Sequence, residues 1–179
     1  MFKRIAAYSS FLLTALFSTP VRSLSASSPM ISTELALAME ATVRRYFQGV
    51  TEKDSEMIRS CFGESATIRD VCALQSSRRT VPATQLVDRC MQFVTAHPDC
   101  VVQFHYGPEC SRQSNWVFAH WYETGTWSGT SCDIEPNHQP MAVEGQTRFK
   151  VCSDTLKIQE LVVTRTFTEW ERMLLEKPQ

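Results

Sequence analysis

VRRYFQGVTEKDSEMIRSCFGESATIRD, residues 43–70, passes through two helical patterns and into a strand within one short run. Leu35, Met39, Val43, Tyr46, Phe47 and Val50 recur at three- and four-residue steps, the stripe of an amphipathic helix. Ser32 or Thr33 can cap that helix, and Glu34 suits its first turn. Asp54 is a good N-cap for a shorter second helix, with Met57, Ile58, Cys61 and Phe62 as its apolar face and Gly63 as its stop. Ala66 to Cys72 then has strand character, and it carries an aspartate, Asp70. Alternation along the strand leaves two readings of that carboxylate: a solvated strand residue, or a base at the bottom of a pocket.

The order of the remaining elements sets the fold class. Pro82 suits the first turn of a third helix, whose apolar face is Leu86, Val87, Cys90, Phe93, Val94 and His97 and whose end is Pro98. Four strand-like runs follow: Cys100 to Tyr106, Asn115 to Thr126, Met141 to Cys152 and Leu156 to Phe167. Glu169 to Glu176 can form a short terminal helix. Residues 75–80 form a polar loop. The order α-α-β-α-β-β-β-β, helices first and strands last, predicts an α+β fold. Its three N-terminal helices pack in a strongly curved antiparallel sheet, a cone with an internal pocket.

Composition narrows the function. Hydrophobic residues make up 43% of the chain, with 10 Phe, 4 Trp and 4 Tyr, enough for a packed core. Residues 1–30 hold Lys3, Arg4 and Arg22 and no acid; without them 15 basic residues stand against 19 acidic ones, about −4. A mildly acidic domain with no basic stripe is no nucleic-acid binder. Residues 1–30 place two cations before an apolar run, Ile5 to Phe17, followed by Pro20 and a Ser-rich segment. That anatomy predicts a leader addressed to the secretory pathway or a plastid, leaving one domain at 31–179 and no stable membrane span once it is removed. Seven cysteines without a CxxC pair read mostly as buried free thiols. Four scattered histidines at no ligand spacing imply no metal site.

Four stretches together resemble the nuclear-transport-factor-2-like (cystatin-like cone) superfamily, and within it the SnoaL-like and ketosteroid-isomerase-like proteins: the opening stretch, AHPD at 96–99, GTWSG at 125–129, and TRFKV…LKIQE at 147–160. In the ketosteroid isomerases a tyrosine on the first helix donates to the substrate oxyanion, an aspartate on the first strand moves the proton, and a protonated acid on a later strand donates as well. The resemblance places Tyr46 at the tyrosine and Asp70 at the base. It also shows departures. Val71 follows the aspartate where proline is usual, the second acid falls at about Gly145 with only Glu144 beside it, the last strand has no Asp, and Trp127 replaces the histidine of the GTHxG turn.

WVFAHWYE, residues 116–123, offers two faces: Trp116, Phe118, His120 and Tyr122 on one, Val117, Ala119, Trp121 and Glu123 on the other. Either can line the cavity. His120 is a candidate pocket acid or base beside Tyr46 and Asp70, whereas Glu123 or Glu160 is expected to pair with Arg148 or Arg165 across strands. The resemblance implies a cofactor-independent isomerase or cyclase acting on a small apolar molecule. The alternatives are a ligand-binding module, with Trp116, Phe118, Trp121 and Trp127 as contact surface, and an interaction domain. A homodimer through the sheet is compatible with all three.

Overall fold

The computed structural model describes residues 30–73 and 80–176; the leader expected at 1–30 falls, but for Met30, outside them. Helix α1, Thr33–Glu52, starts at Ser32, whose hydroxyl accepts from the Leu35 N–H at 3.2 Å. Its stripe of Met39, Val43, Tyr46, Phe47 and Val50 is buried. Helix α2, Ser55–Ser60, is capped by Asp54, which accepts from the Met57 N–H at 2.8 Å. Strand β1, Phe62–Asp70, begins earlier than the apolar pattern suggests, because Phe62 and Gly63 already run extended beside β6.

The described part of the 74–80 region differs from the expected loop and helix start. Thr80–Pro82 is a strand, β2, paired with β1, and helix α3 spans Thr84–Ala96. Proline is tolerated there because β2 lies at the sheet edge, where its missing N–H costs no ladder bond. Strands β3 (Val101–Cys110), β4 (Trp116–Thr126), β5 (Pro140–Val151) and β6 (Ile158–Arg165) follow, and helix α4, Glu169–Glu176, ends the described chain.

The sheet runs β2-β1-β6-β5-β4-β3 and is mixed rather than purely antiparallel, since β1 and β6 are parallel neighbours. That pairing sets the first strand beside the last and puts Asp70 opposite Val163. On the inner face α1 covers the sheet, with the Phe47 ring 5.0 Å from Phe104 and 5.7 Å from Phe149. Each such ring or aliphatic side chain taken out of water contributes about 1.5–3 kcal/mol. All seven cysteines are free thiols; Cys61 and Cys100 are buried and Cys132 is exposed.

Gly145 is required by a close approach. It pairs with Trp121 across β4 and β5, and a Cβ at this position would stand 2.4 Å from the Trp121 ring. The indole lies flat over the glycine and donates from Nε1 to Thr147 Oγ1 at 2.8 Å. Gly145→Ala therefore overpacks this spot and should lower the unfolding free energy by about 1–3 kcal/mol in denaturant titrations; an unchanged midpoint would contradict the packing.

Candidate active site

Alternation selects the inner face of β4. Val117, Ala119, Trp121 and Glu123 are buried, while Phe118 is 42% exposed on the opposite side. Between that face, α1, α3 and α4 lies a cavity of about 450 Å³. Its walls are mostly apolar, from Phe47, Val50, Ile68, Leu86, Phe93 and Trp121. Its polar lining comprises Tyr46, Arg89, Gln92, Glu123, Thr147 and an Arg165-centred cluster with Asp70 and Glu171.

Tyr46, Asp70 and Trp121 of the expected site thus share one cavity. The other expected residues lie elsewhere. His120, Trp116 and Phe118 point to the outer face by strand alternation: His120 Nε2 meets Glu144 Oε1 at 2.7 Å, and the Arg148 guanidinium sits 5.4 Å from the Trp116 ring centroid. Trp127 is buried in a satellite cluster with Ala96, Ile134 and Trp170, and so backs a cavity wall without reaching the cavity. The AHPD and GTWSG stretches act as a clamp behind it. The Ser128 and Gly129 N–H groups both donate to the Ala96 carbonyl, and Asp99 accepts from the Thr126 N–H at 2.7 Å.

Asp70 is engaged at both oxygens. Arg165 Nη2 donates to one at 3.1 Å and the Cys72 N–H donates to the other at 2.9 Å. Arg165 also makes a fork of 2.8 and 2.7 Å bonds to Glu171, which in turn accepts from the N–H and hydroxyl of Thr168. Thr168 Oγ1 accepts from the Glu171 N–H at 3.3 Å, so Thr168 and Glu171 form a reciprocal capping box at the start of α4. The guanidinium and the Thr168 donors hold the Glu171 carboxyl below its ordinary range, overcoming the opposing effect of burial. This cluster ties β1, β6 and α4 around the cavity, and Asp70 serves it as a holding group.

Glu123 is the group the sequence reading missed. It is 7% exposed, and among the described residues no donor hydrogen-bonds to it. The expected cross-strand pair with Arg165 does not form, because that guanidinium is committed to Asp70 and Glu171. Burial pushes the Glu123 carboxyl up to about 7, with the Arg165 charge lowering it only in part. It also faces the same side as Gly145, the position to which the resemblance assigns the second acid. Glu123 pairs with Val143, two residues before Gly145 on β5. Burial, first, and the neighbouring Cys90 raise the Tyr46 phenol well above its ordinary value, so it stays a neutral donor; its hydroxyl is 3.9 Å from Cys90 Sγ. Burial pushes Cys90 up to about 12, which leaves a protonated thiol at neutral pH and no thiolate nucleophile.

On the outer face the sheet brings together three groups that looked scattered in the chain. His105, His120 and Glu144, from β3, β4 and β5, have their ligand atoms within 4.8 Å of one another. The absence of ligand spacing in sequence therefore does not exclude a metal-binding cluster here.

No family model matches the sequence, and no curated protein matches it significantly. Solved structures do match its fold. AclR from Streptomyces galilaeus, proposed to be a hydroxylase, superimposes with a TM-score of 0.64 at 13% identity over 80% of this chain and 85% of its own. A SnoaL-like protein from Jannaschia sp. CCS1, proposed to be a polyketide cyclase, gives 0.63 at 15% identity over 83% of this chain and 99% of its own. By fold, this chain is similar to SnoaL-like and cystatin-like structures. A cystatin-like protein of unknown function from Methylobium petroleophilum PM1 gives 0.58 at 16% identity, covering 84% and 82% of the two chains. Identities this low show the fold alone and leave the chemistry to the chain's own residues.

The raised Glu123 carboxyl has a stability signature. Its folded pKa of about 7 lies above its ordinary 4.5, so the folded state holds the extra proton. The stability this confers is fully present below about pH 4.5 and is lost as pH rises through about 7, on the order of 3 kcal/mol in all. Buried His97, whose pKa is lowered mainly by burial, contributes with the opposite sign and is common to both proteins in a comparison. Urea unfolding at pH 5 and pH 8 should show Glu123→Gln gaining stability relative to the parent between the two; a constant difference would place Glu123 in an ordinary environment.

Proposed function

We propose that this chain is an acid–base enzyme for a small, apolar, enolisable substrate, catalysing isomerisation or cyclisation with Glu123 as the proton carrier. The observation that carries this reading is a single carboxyl, without a hydrogen-bond donor, in a mostly apolar cavity of about 450 Å³. That volume suits a drug-sized apolar ligand. A carboxyl titrating near neutrality is present in both forms at working pH, which favours it as base and then as acid.

In this scheme the Glu123 carboxylate takes a proton from the carbon beside a substrate carbonyl. The electron pair moves onto the carbonyl oxygen, and the neutral Tyr46 hydroxyl donates to the enolate so formed. Where a β,γ double bond extends the enolate to a dienolate, the Glu123 carboxylic acid then returns the proton to the γ-carbon, completing an isomerisation. Alternatively, the enolate carbon closes a ring on a second carbonyl and Glu123 protonates the resulting alkoxide. Asp70 occupies the position that the resemblance gives the base, but its oxygens are taken by Arg165 and the Cys72 N–H, so we assign the proton to Glu123. Trp121 and Phe47 supply apolar wall around the carboxyl.

The test is deuterium uptake from D2O into a panel of cyclic ketones and 1,3-diketones, followed by mass spectrometry with the full chain. Enzyme-dependent exchange should rise with an apparent pKa near 7 in kcat/KM, and Glu123→Gln should lower it by roughly 10²–10⁴-fold. Exchange that survives in Glu123→Gln would reject its role. Tight binding of panel members without exchange would favour ligand carriage instead.

A further inference from the structure

The outer face of the sheet carries a cluster that the proposed chemistry does not use. His120 Nε2 lies 2.7 Å from Glu144 Oε1, and His105 Nε2 lies 3.6 Å from the same oxygen. The two imidazole centroids are 4.6 Å apart. The three groups come from adjacent strands: His105 from β3, His120 from β4 and Glu144 from β5. Two features bring them together. Tyr122 pairs with Glu144, which sets that carboxylate one diagonal step from His120 on the same face. Gln103 pairs with Tyr122, so alternation sets His105 on that face too, and the register shift between Phe104 and Tyr106 brings Tyr106 opposite His120.

We propose that His105, His120 and Glu144 form a surface site for a divalent first-row metal ion, with zinc as the reference ion. Two imidazoles and one carboxylate, with no thiolate, suit Zn(II), Cu(II), Ni(II) or Co(II) and not the oxygen-only shells of calcium or magnesium. The distances fit as well. Ligands 2.0–2.1 Å from a tetrahedral ion stand about 3.3 Å from one another, and the two measured nitrogen–oxygen separations bracket that value. Small side-chain rotations supply the difference, since the side chains of His105 and Glu144 are 46% and 56% exposed. The imidazoles are already oriented: His105 rests against the Tyr122 ring at 4.7 Å and His120 meets the Tyr106 ring at 5.4 Å. A backbone of three hydrogen-bonded strands holds the ligands at little conformational cost. Three protein ligands leave the fourth position to water or another small donor. The site lies on the opposite side of the sheet from the Glu123 cavity and does not depend on the function proposed for it.

The test uses the full chain after treatment with a chelator and its removal, in a non-chelating reductant that keeps the cysteines reduced. Zinc chloride is titrated calorimetrically, and the imidazole nitrogens are followed by ¹⁵N NMR. One zinc per chain is expected, shifting the Nε2 resonances of His105 and His120 and leaving those of His97 and His138 in place. His105→Gln, His120→Gln and Glu144→Gln should each weaken binding by more than the roughly 10–100-fold that loss of an outer-shell partner costs. Zinc should also raise the unfolding temperature of the parent and not that of the variants, a readout that a folding defect would not imitate. No zinc binding, or binding equally strong in all three variants and so located on thiols elsewhere, would overturn the proposal.

Discussion

A carboxyl group without a donor in an apolar chamber is costly, and the site is organised around that cost. Glu123 is placed there by β4, whose inward residues are otherwise Val117, Ala119 and Trp121. Water or a donor side chain would return the group to an ordinary acid. Burial among apolar walls, with no donor side chain, leaves a proton-accepting group poised near neutrality. Gly145 shows the same constraint from the other strand. Its missing side chain admits the Trp121 indole, which closes the wall beside Glu123 and satisfies its own N–H on Thr147.

The chamber is held by a different kind of interaction. Arg165 sits between Asp70 and Glu171 and joins the first strand, the last strand and the terminal helix at one guanidinium. Its bidentate contact with Glu171 has the fork geometry that arginine supplies and lysine does not. The arrangement also keeps Arg165 from pairing with Glu123, because its guanidinium is held by Asp70 and Glu171. Two different electrostatic solutions thus share one pocket: a hydrogen-bonded cluster of one guanidinium and two carboxylates that fixes α4, and a single acid left to titrate.

The sequence made the helical half of the fold legible. Ser32, Asp54 and the stripe from Met39 to Val50 are local signals, and local signals suffice for helices. The Thr168 and Glu171 pairing is equally local, and it marks the start of α4. Strand direction is not local, so the parallel β1–β6 pairing and the edge strand at Thr80–Pro82 lay beyond it. The candidate site divides along the same line. Tyr46 and Asp70 sit in stretches whose order resembles a family, and both line the cavity. Glu123 was visible only as one member of two alternating faces, and its charge argued for a cross-strand ion pair. His105, His120 and Glu144 come together only through the registers of three strands, which leave no trace in spacing along the chain.

The ionisation of Glu123 tests the proposed chemistry most directly. With glutamate labelled at its carboxyl carbon, ¹³C NMR across pH 3 to 9 reads each Glu separately, and Glu123→Gln assigns the resonance. One carboxyl titrating with a midpoint of about 7, and missing from the variant, is the expected result. If every glutamate titrates below about pH 5, as unperturbed carboxyls do, Glu123 is solvated or paired and cannot carry the proton as described.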